Sequence, residues 1–392
     1  MTIKIKPITV DNITSKLGNI CLYAFLFLTS FIFLFRYDHT MFILRYVFLI
    51  GGALIGYGRC FVGKYRFRHS FLFLITITFL WLLATLGQNG YQNYEVSDYL
   101  YTICYIGLAV LVLENKYNHI VALGLYGFTA ASIMLRVLQG INKNLILLAN
   151  SRNFISVLLL STMLLYYISC MDKKRPILVT PILLYFYINI YATGRSGIIV
   201  SGFFTVGLLL YKFYSIENKR LKMVIGFFIA IVIITVLIYI SNLDDTIMSD
   251  FINKNFSAFL QRGNDSNGRY EIWGKFISNN IKAIGSFLFG SDASLAMADC
   301  NLHNSFLQSY ASFGVAGFGL IIVLVVRSLI VGFKKKNFLF LILFGGLLLR
   351  ALTDRVFFQG YCELYLYYFI FYFTYHSHDD EELEGAGDAY AR

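Results

Sequence analysis

Long apolar runs, broken by short polar stretches, recur along nearly the whole chain. They fall at roughly 18–36, 41–58, 70–88, 98–114, 119–138, 153–170, 177–193, 196–212, 222–241, 304–330, 338–353 and 357–374. A helix needs ~20 apolar residues to cross the hydrocarbon core of a bilayer, and most of these runs approach that length. The pattern therefore predicts an all-α, polytopic membrane protein with about twelve transmembrane helices. One connection differs from the rest. Residues 242–303 form a long segment of mixed polarity, and long ordered loops are usually functional. Inside it, Tyr270–Ile284 sets Ile272, Trp273, Phe276, Ile277, Ile281 and Ile284 at the spacing of an amphipathic helix lying on a membrane surface. Beyond Tyr375 the chain turns acidic, with Asp379, Asp380, Glu381, Glu382 and Glu384, and predicts a disordered tail. The expected organisation is helices over 1–241, the long loop over 242–303, helices over 304–375 and a polar tail over 376–392.

Charge orients this arrangement. With the first segment placed inside, the inward loops hold Arg59, Lys64, Arg66 and Arg68, then Lys116, then Lys173, Lys174 and Arg175, then Lys212, Lys219, Arg220 and Lys222, and finally Lys334, Lys335 and Lys336. The outward segment Gln88–Asp98 has no Lys or Arg. This is the positive-inside pattern, and it predicts cytoplasmic termini and an outward, non-cytoplasmic 242–303. Lys4, Lys6 and Lys16, with no small-residue cleavage site, fit a retained N-terminal segment rather than a signal peptide.

Composition agrees with a lipid-facing protein: 58% of residues are hydrophobic, only 14% are charged, and 38 Phe and 29 Tyr are present. The net charge of +11 raises the question of nucleic acid. Its confinement to short clusters between apolar runs answers as an orientation signal, and no nucleic-acid partner is expected. The six cysteines form no C-x-x-C pair and most sit in or beside apolar runs, so neither a disulfide framework nor a metal cluster is expected.

Candidate chemistry gathers on the outward side, where charge near the outer leaflet is costly. Thr193-Gly194-Arg195-Ser196-Gly197 is a very tight outward turn that sets a guanidinium at the membrane surface. Its glycines allow close approach of backbone or ligand. Arg269, in Asn267-Gly268-Arg269-Tyr270-Glu271-Ile272-Trp273, opens the expected surface helix, and Arg262 lies seven residues earlier. An arginine fork can grip a phosphate through two bonds, and two such groups suit a diphosphate. His303 and Asn304 stand where the long loop re-enters the membrane. A histidine there can accept or orient a hydroxyl proton. Asp354 and Arg355 occupy the last outward turn and either line the same cavity or pair with each other. Arg136 and Arg350, inside or at the edge of outer-half helices, are candidates for pairing with acidic residues. Each has a plainer reading: an interfacial anchor for Arg195, a solvated loop residue for Arg269, a structural role for His303. No H-E-x-x-H, phosphate-binding loop or dinucleotide fingerprint occurs, and Asp244-Asp245 is the nearest approach to an outward metal site. No metal and no cofactor are expected.

The order of these features resembles the O-antigen ligase and polymerase superfamily, the WaaL-type ligases and Wzy-type polymerases. The carriers are Gly194-Arg195-Ser196-Gly197, then the long loop with Gly268-Arg269 and Trp273, then His303-Asn304. His303-Asn304, nine residues, Gly314, two residues and Gly317 fit that superfamily's histidine pattern closely. One departure stands: where the ligases usually have Leu four residues after the first Arg, this chain has Ile199. The resemblance implies a GT-C-like, metal-independent inverting glycosyltransferase acting on an undecaprenyl-diphosphate-linked glycan. It implies that Arg195 and Arg269 hold the diphosphate and that His303 serves the acceptor hydroxyl. Arg262, Asn304, Trp273, Asp354 and Arg355 would line the substrate. The acceptor would be a second lipid-linked repeat unit in a polymerase or the lipid A-core in a ligase, with membrane lipids and a chain-length regulator as further partners. A flippase or other transporter is the competing class. Such proteins tend to show related halves and mid-membrane charges, whereas here no half-repeat is visible and the candidate charges gather at one surface.

Overall fold

The computed structural model describes residues 10–36, 38–62, 76, 96–115, 117–148, 152–173, 175–192, 194–220, 222–223, 269–282, 284–290, 302–357 and 360–390. Among these every element is a helix: α1 (Val10–Leu34), α2 (His39–Val62), α3 (Val96–Glu114), α4 (His119–Leu138), α5 (Asn153–Asp172), α6 (Thr180–Ala192), α7 (Arg195–Tyr214), α8 (Arg269–Lys282), α9 (Ile284–Phe289), α10 (Ser305–Lys334), α11 (Phe338–Thr353) and α12 (Glu363–Tyr390). Six of them, α1, α2, α4, α5, α7 and α10, are long and apolar enough to cross a membrane. α6, α11 and the Leu100–Glu114 part of α3 are apolar but shorter. The molecule is thus a helical protein built for a membrane. The expected span 70–88 lies outside the described residues except for Thr76, and 222–241 lies outside them beyond Met223.

α5 is the hub. It is buried without interruption from Ile155 to Met171, as expected of a helix that is apolar all round. Around it α4 packs on α5, α6 on α7, α7 on α11, and α10 on both α11 and α12, while α1, α2 and α3 form a neighbouring layer joined to α12 through α3. Lipid tails are as apolar as leucine, so close van der Waals fit and polar contacts hold such helices together. Gly56 of α2 lies so near α3 that a Cβ would fall on the Gly107 carbonyl oxygen. Polar cross-links include Thr129 Oγ1 to Ser30 Oγ at 2.9 Å, Ser156 Oγ to Tyr185 Oη at 2.9 Å and Tyr126 Oη to the Pro181 carbonyl at 2.7 Å. Each is worth about 0.6–2 kcal/mol in such a setting.

Two elements differ from the sequence expectation. α12 continues as helix to Tyr390, through the acidic stretch read as a disordered tail. Glu381, Glu382, Leu383, Glu384 and Ala386 are strong helix formers, and they extend a helix already nucleated by the apolar run. The expected single span at 304–330 is α10, which breaks at Gly314, where φ is +64° and ψ −169°. A side chain there would meet the Leu288 carbonyl, because α9 packs against α10 at the break.

Candidate functional site

The N-terminal end of α7 starts the site. Gly194 is its N-cap, Arg195 its first residue and half-buried, and Ser196 is buried. The two glycines of this turn make room for neighbouring helices. A Cβ on Gly194 would lie 3.0 Å from Asn153 Oδ1, and one on Gly197 would lie 3.1 Å from Ser156 Oγ and closer still to Asn189 Oδ1. α5, α6 and α7 therefore converge tightly beneath Arg195.

α11 brings in Arg350, whose side chain is fully buried. Its guanidinium donates to Ser196 Oγ at 2.5 Å, to the Asn153 carbonyl at 3.1 Å and to Asp354 Oδ2 at 3.0 Å. The acidic neighbour expected for Arg350 is thus Asp354, one helical turn on. Asp354 also faces His303: Nδ1 lies 3.6 Å from Oδ1, an ion-pair distance just beyond a hydrogen bond. The Asp354 carboxylate does not simply pair with the Arg355 side chain beside it. Its Oδ1 accepts the Arg355 backbone N–H at 2.9 Å, while Arg350 and His303 supply the side-chain partners. Burial pushes the Asp354 carboxyl up, but His303, the Arg350 guanidinium and the Arg355 N–H outweigh it and hold it below its ordinary value. The carboxylate is therefore ionised at neutral pH.

His303 itself sits in the left-handed region, φ +48°, one residue before the α10 N-cap. A non-glycine residue there costs ~1–2 kcal/mol. The surroundings fix it from both sides. Asn304 Oδ1 caps α10 by accepting from the Phe306 and Leu307 N–H groups at 2.9 and 3.1 Å, and its Nδ2 donates to the Leu352 carbonyl at 3.2 Å. Ser305 Oγ donates to the Asp354 carbonyl at 2.8 Å and accepts the Val356 N–H at 2.8 Å. On the other side, Trp273 Nε1 of α8 donates to the Leu302 carbonyl at 2.7 Å. Phe276, fully buried, packs with Leu302 and Ala311 beneath it. α8 is thus docked onto the segment that carries His303, and α8 begins at Arg269 as the amphipathic pattern expects.

The residues singled out by sequence divide accordingly. Arg195, through its neighbour Ser196, together with His303, Asn304, Trp273, Asp354 and Arg355, meets at one end of the bundle around Arg350. Asn304 and Trp273 have polar atoms engaged in holding the loop. Arg136 turns elsewhere, donating to the Ile146 carbonyl at 2.8 Å. Arg262, Asp244, Asp245 and the side chain of Arg269 lie outside the described residues. Sequence reasoning passed over two further buried charges, Arg45 and Glu363. Arg45 sits among aromatic rings, its guanidinium carbon 4.6 Å from the Tyr46 ring centroid and 5.4 Å from that of Tyr361. Their presence inside apolar runs was the available signal.

Chemically, the arrangement offers an imidazole whose Nδ1 faces a carboxylate. The His303 side chain is 39% exposed, within reach of a group whose proton an imidazole can take or direct. Among the described residues, no three of His, Cys, Asp and Glu come together as a metal site. Compared with known proteins, the chain matches no family model and no curated protein sequence.

Proposed function

We propose that this protein is an inverting glycosyltransferase that polymerises undecaprenyl-diphosphate-linked O-antigen or related polysaccharide units at the periplasmic face of a bacterial inner membrane. On this reading about twelve spans surround a GT-C-like site, with both termini cytoplasmic. The observation that supports it best is the Ser196–Arg350–Asp354–His303 chain. It joins the turn carrying Arg195 to the loop carrying His303 at one end of the bundle. The acceptor hydroxyl attacks the anomeric carbon of the donor sugar, its proton passes to His303 Nε2, and the C–O bond to the diphosphate breaks. The bonding pair leaves on the diphosphate. Arg195 and Arg269 meet the charge that grows there, and preorganised donors of this kind are worth most in a partly dry site. Asp354 orients the imidazole and favours its cationic form after transfer.

A ligase delivering the polymer to lipid A-core is the second reading, favoured by the His303…Gly314…Gly317 spacing. The test is turnover of purified protein with a lipid-linked repeat unit, alone or with lipid A-core. Chain growth on the repeat unit alone supports the polymerase, and transfer only with core supports the ligase. Arg195→Ala should abolish either activity, and Arg195→Lys should recover little, because an ammonium cannot form the two-bond fork. Wild-type turnover by His303→Ala in both assays refutes the catalytic role.

A further inference from the structure

Ser196 stands where the two halves of the site meet. It follows Arg195 directly in the first turn of α7 and is 8% exposed. Its Oγ accepts from Arg350 Nη1 at 2.5 Å, so its own proton points away from the guanidinium. Arg350 in turn donates from Nη2 to Asp354 Oδ2 at 3.0 Å, and Asp354 Oδ1 lies 3.6 Å from His303 Nδ1. A hydroxyl, a guanidinium, a carboxylate and an imidazole therefore stand in series, each meeting the next through a separate atom.

A backbone carbonyl would satisfy Arg350 as well as a serine does, and that of Asn153 accepts from it at 3.1 Å. The hydroxyl differs in one respect. It donates while it accepts, and a hydroxyl that gives its hydrogen bond to an anion becomes a better acceptor for the group behind it. The charged and titratable neighbours of this series are these among the described residues. Tyr185 and Cys362 stand near the Arg350 guanidinium, and neither side chain is ordinarily charged at neutral pH. Arg355 follows Asp354 and keeps its positive charge at every pH of interest. On α8, Glu271 and Lys275 are exposed and pair with each other at 2.5 Å. α10 brings Tyr310, which lies against the Phe276 ring.

We propose that Ser196 and Arg350 are positioning residues that couple diphosphate binding at Arg195 to the basicity of His303. The inference rests on the reading of Arg195 as a diphosphate grip. A diphosphate oxygen accepts the Ser196 O–H. Ser196 Oγ then draws more strongly on the Arg350 guanidinium, and Asp354 keeps a smaller share of that positive charge. More of the carboxylate field falls on the Nδ1 side of His303, and the imidazole takes up a proton more readily. No covalent bond changes in these steps. A base strengthened by the bound leaving group ties proton removal to the presence of the bond that must break.

The full chain, labelled at histidine and purified in detergent, would be titrated with acid in a nitrogen NMR experiment, with and without inorganic pyrophosphate. The His303 signal is identified by its loss in His303→Gln. Pyrophosphate should raise the proton affinity of His303 at least about fivefold, the lower end of ordinary coupling between sites. In Ser196→Ala, equilibrium dialysis should show pyrophosphate bound at least about tenfold more weakly, because one charge-assisted hydrogen bond is lost. At saturating pyrophosphate the rise at His303 should there fall below about twofold, while Ser196→Thr, which keeps the hydroxyl, should retain it. If Ser196→Ala fails to fold, Ser196→Cys takes its place with the same expected loss, since a thiol donates and accepts only weakly. A rise that survives in Ser196→Ala is the direct field of the anion and overturns the coupling, as does bound pyrophosphate with no rise in wild type; both leave the Arg195 grip standing. No pyrophosphate binding to wild type overturns the coupling and the grip together.

Discussion

The Arg350–Asp354 pair makes a quantitative test of the network around Arg350. Arg350→Met keeps an unbranched apolar stem but loses the guanidinium, and with it three donated bonds, to Ser196, Asn153 and Asp354. Removing one partner of a buried ion pair costs ~3–5 kcal/mol, because the other charge is left uncompensated. The two single variants should differ, however. Without Arg350, Asp354 keeps the Arg355 N–H, His303 and 17% exposure of its side chain. The cost should fall near the low end, ~3 kcal/mol. Without the Asp354 charge, in Asp354→Asn, Arg350 remains a fully buried cation with 0% exposure and no other acidic partner among the described residues. That cost should reach ~4–5 kcal/mol. The double variant Arg350→Met/Asp354→Asn should lose less than the sum by ~2 kcal/mol or more, since no buried charge is stranded. Equilibrium unfolding in mixed micelles can be followed with a thiol-reactive dye, because Cys21, Cys170 and Cys362 are buried free thiols that react only on opening. Single variants within ~1 kcal/mol of wild type, or additivity within ~0.5 kcal/mol, would refute the pair as an organising element.

Three further outcomes are expected. Gly314→Ala should destabilise by ~1–3 kcal/mol, because φ is +64° and the Leu288 carbonyl blocks a Cβ, whereas Gly319→Ala, with open space around it, should be neutral or stabilising; equal effects in dye-monitored unfolding would count against the break. Trp273→Phe removes the bond to the Leu302 carbonyl, worth ~1 kcal/mol, and should speed amide exchange across α8 more than across α11; unchanged exchange would show that Phe276 alone docks the helix. The Asp354 carboxyl is held below its ordinary 3.8 in the folded protein, so its stabilisation is complete above that value and lost as pH falls through the lowered one. Acid unfolding monitored below pH ~4 should lose this limb in Asp354→Asn, and an unchanged profile would rule the coupling out.

Local signals in the sequence were strong where the physics is local. The apolar runs at 119–138 and 338–353 coincide with α4 and α11, because a long run with polar ends leaves little choice of boundary. The i,i+4 spacing of Arg350 and Asp354 put their pairing within reach of a helical reading. Asn304 ahead of an apolar run reads as an N-cap in hindsight. What escaped was non-local. Nothing near Arg350 in sequence announces Ser196 or Asn153 as partners, and Ser305 looks like any helix-start serine until Asp354 and Val356 fold beside it. The glycines flanking Arg195 left a choice between close ligand and close backbone, and only the packing of Asn153, Ser156 and Asn189 decides for neighbouring protein. The extension of α12 was missed because composition argues disorder while propensity argues helix, and the preceding helix supplies the nucleus.

The break at Gly314 bears on how the protein meets membranes of different thickness. As one straight rod, the 30 residues of α10 would run ~45 Å, well beyond a ~30 Å hydrocarbon core. Residues 314–334 alone measure ~32 Å and match that core. The preceding piece, 305–313, is left over and is pinned instead to the end of α11 through Asn304–Leu352 and Ser305–Asp354. Because the long segment packs on α11 and α12, with Ser328 Oγ donating to the Ile370 carbonyl at 3.3 Å, a thicker or thinner bilayer would be met by a tilt shared with those helices, at fractions of a kcal/mol per Å of mismatch. The short segment, and His303 before it, keep their attachment to α11 throughout. Acyl-chain length should therefore alter the slant of α10 without altering the distance between His303 and Asp354.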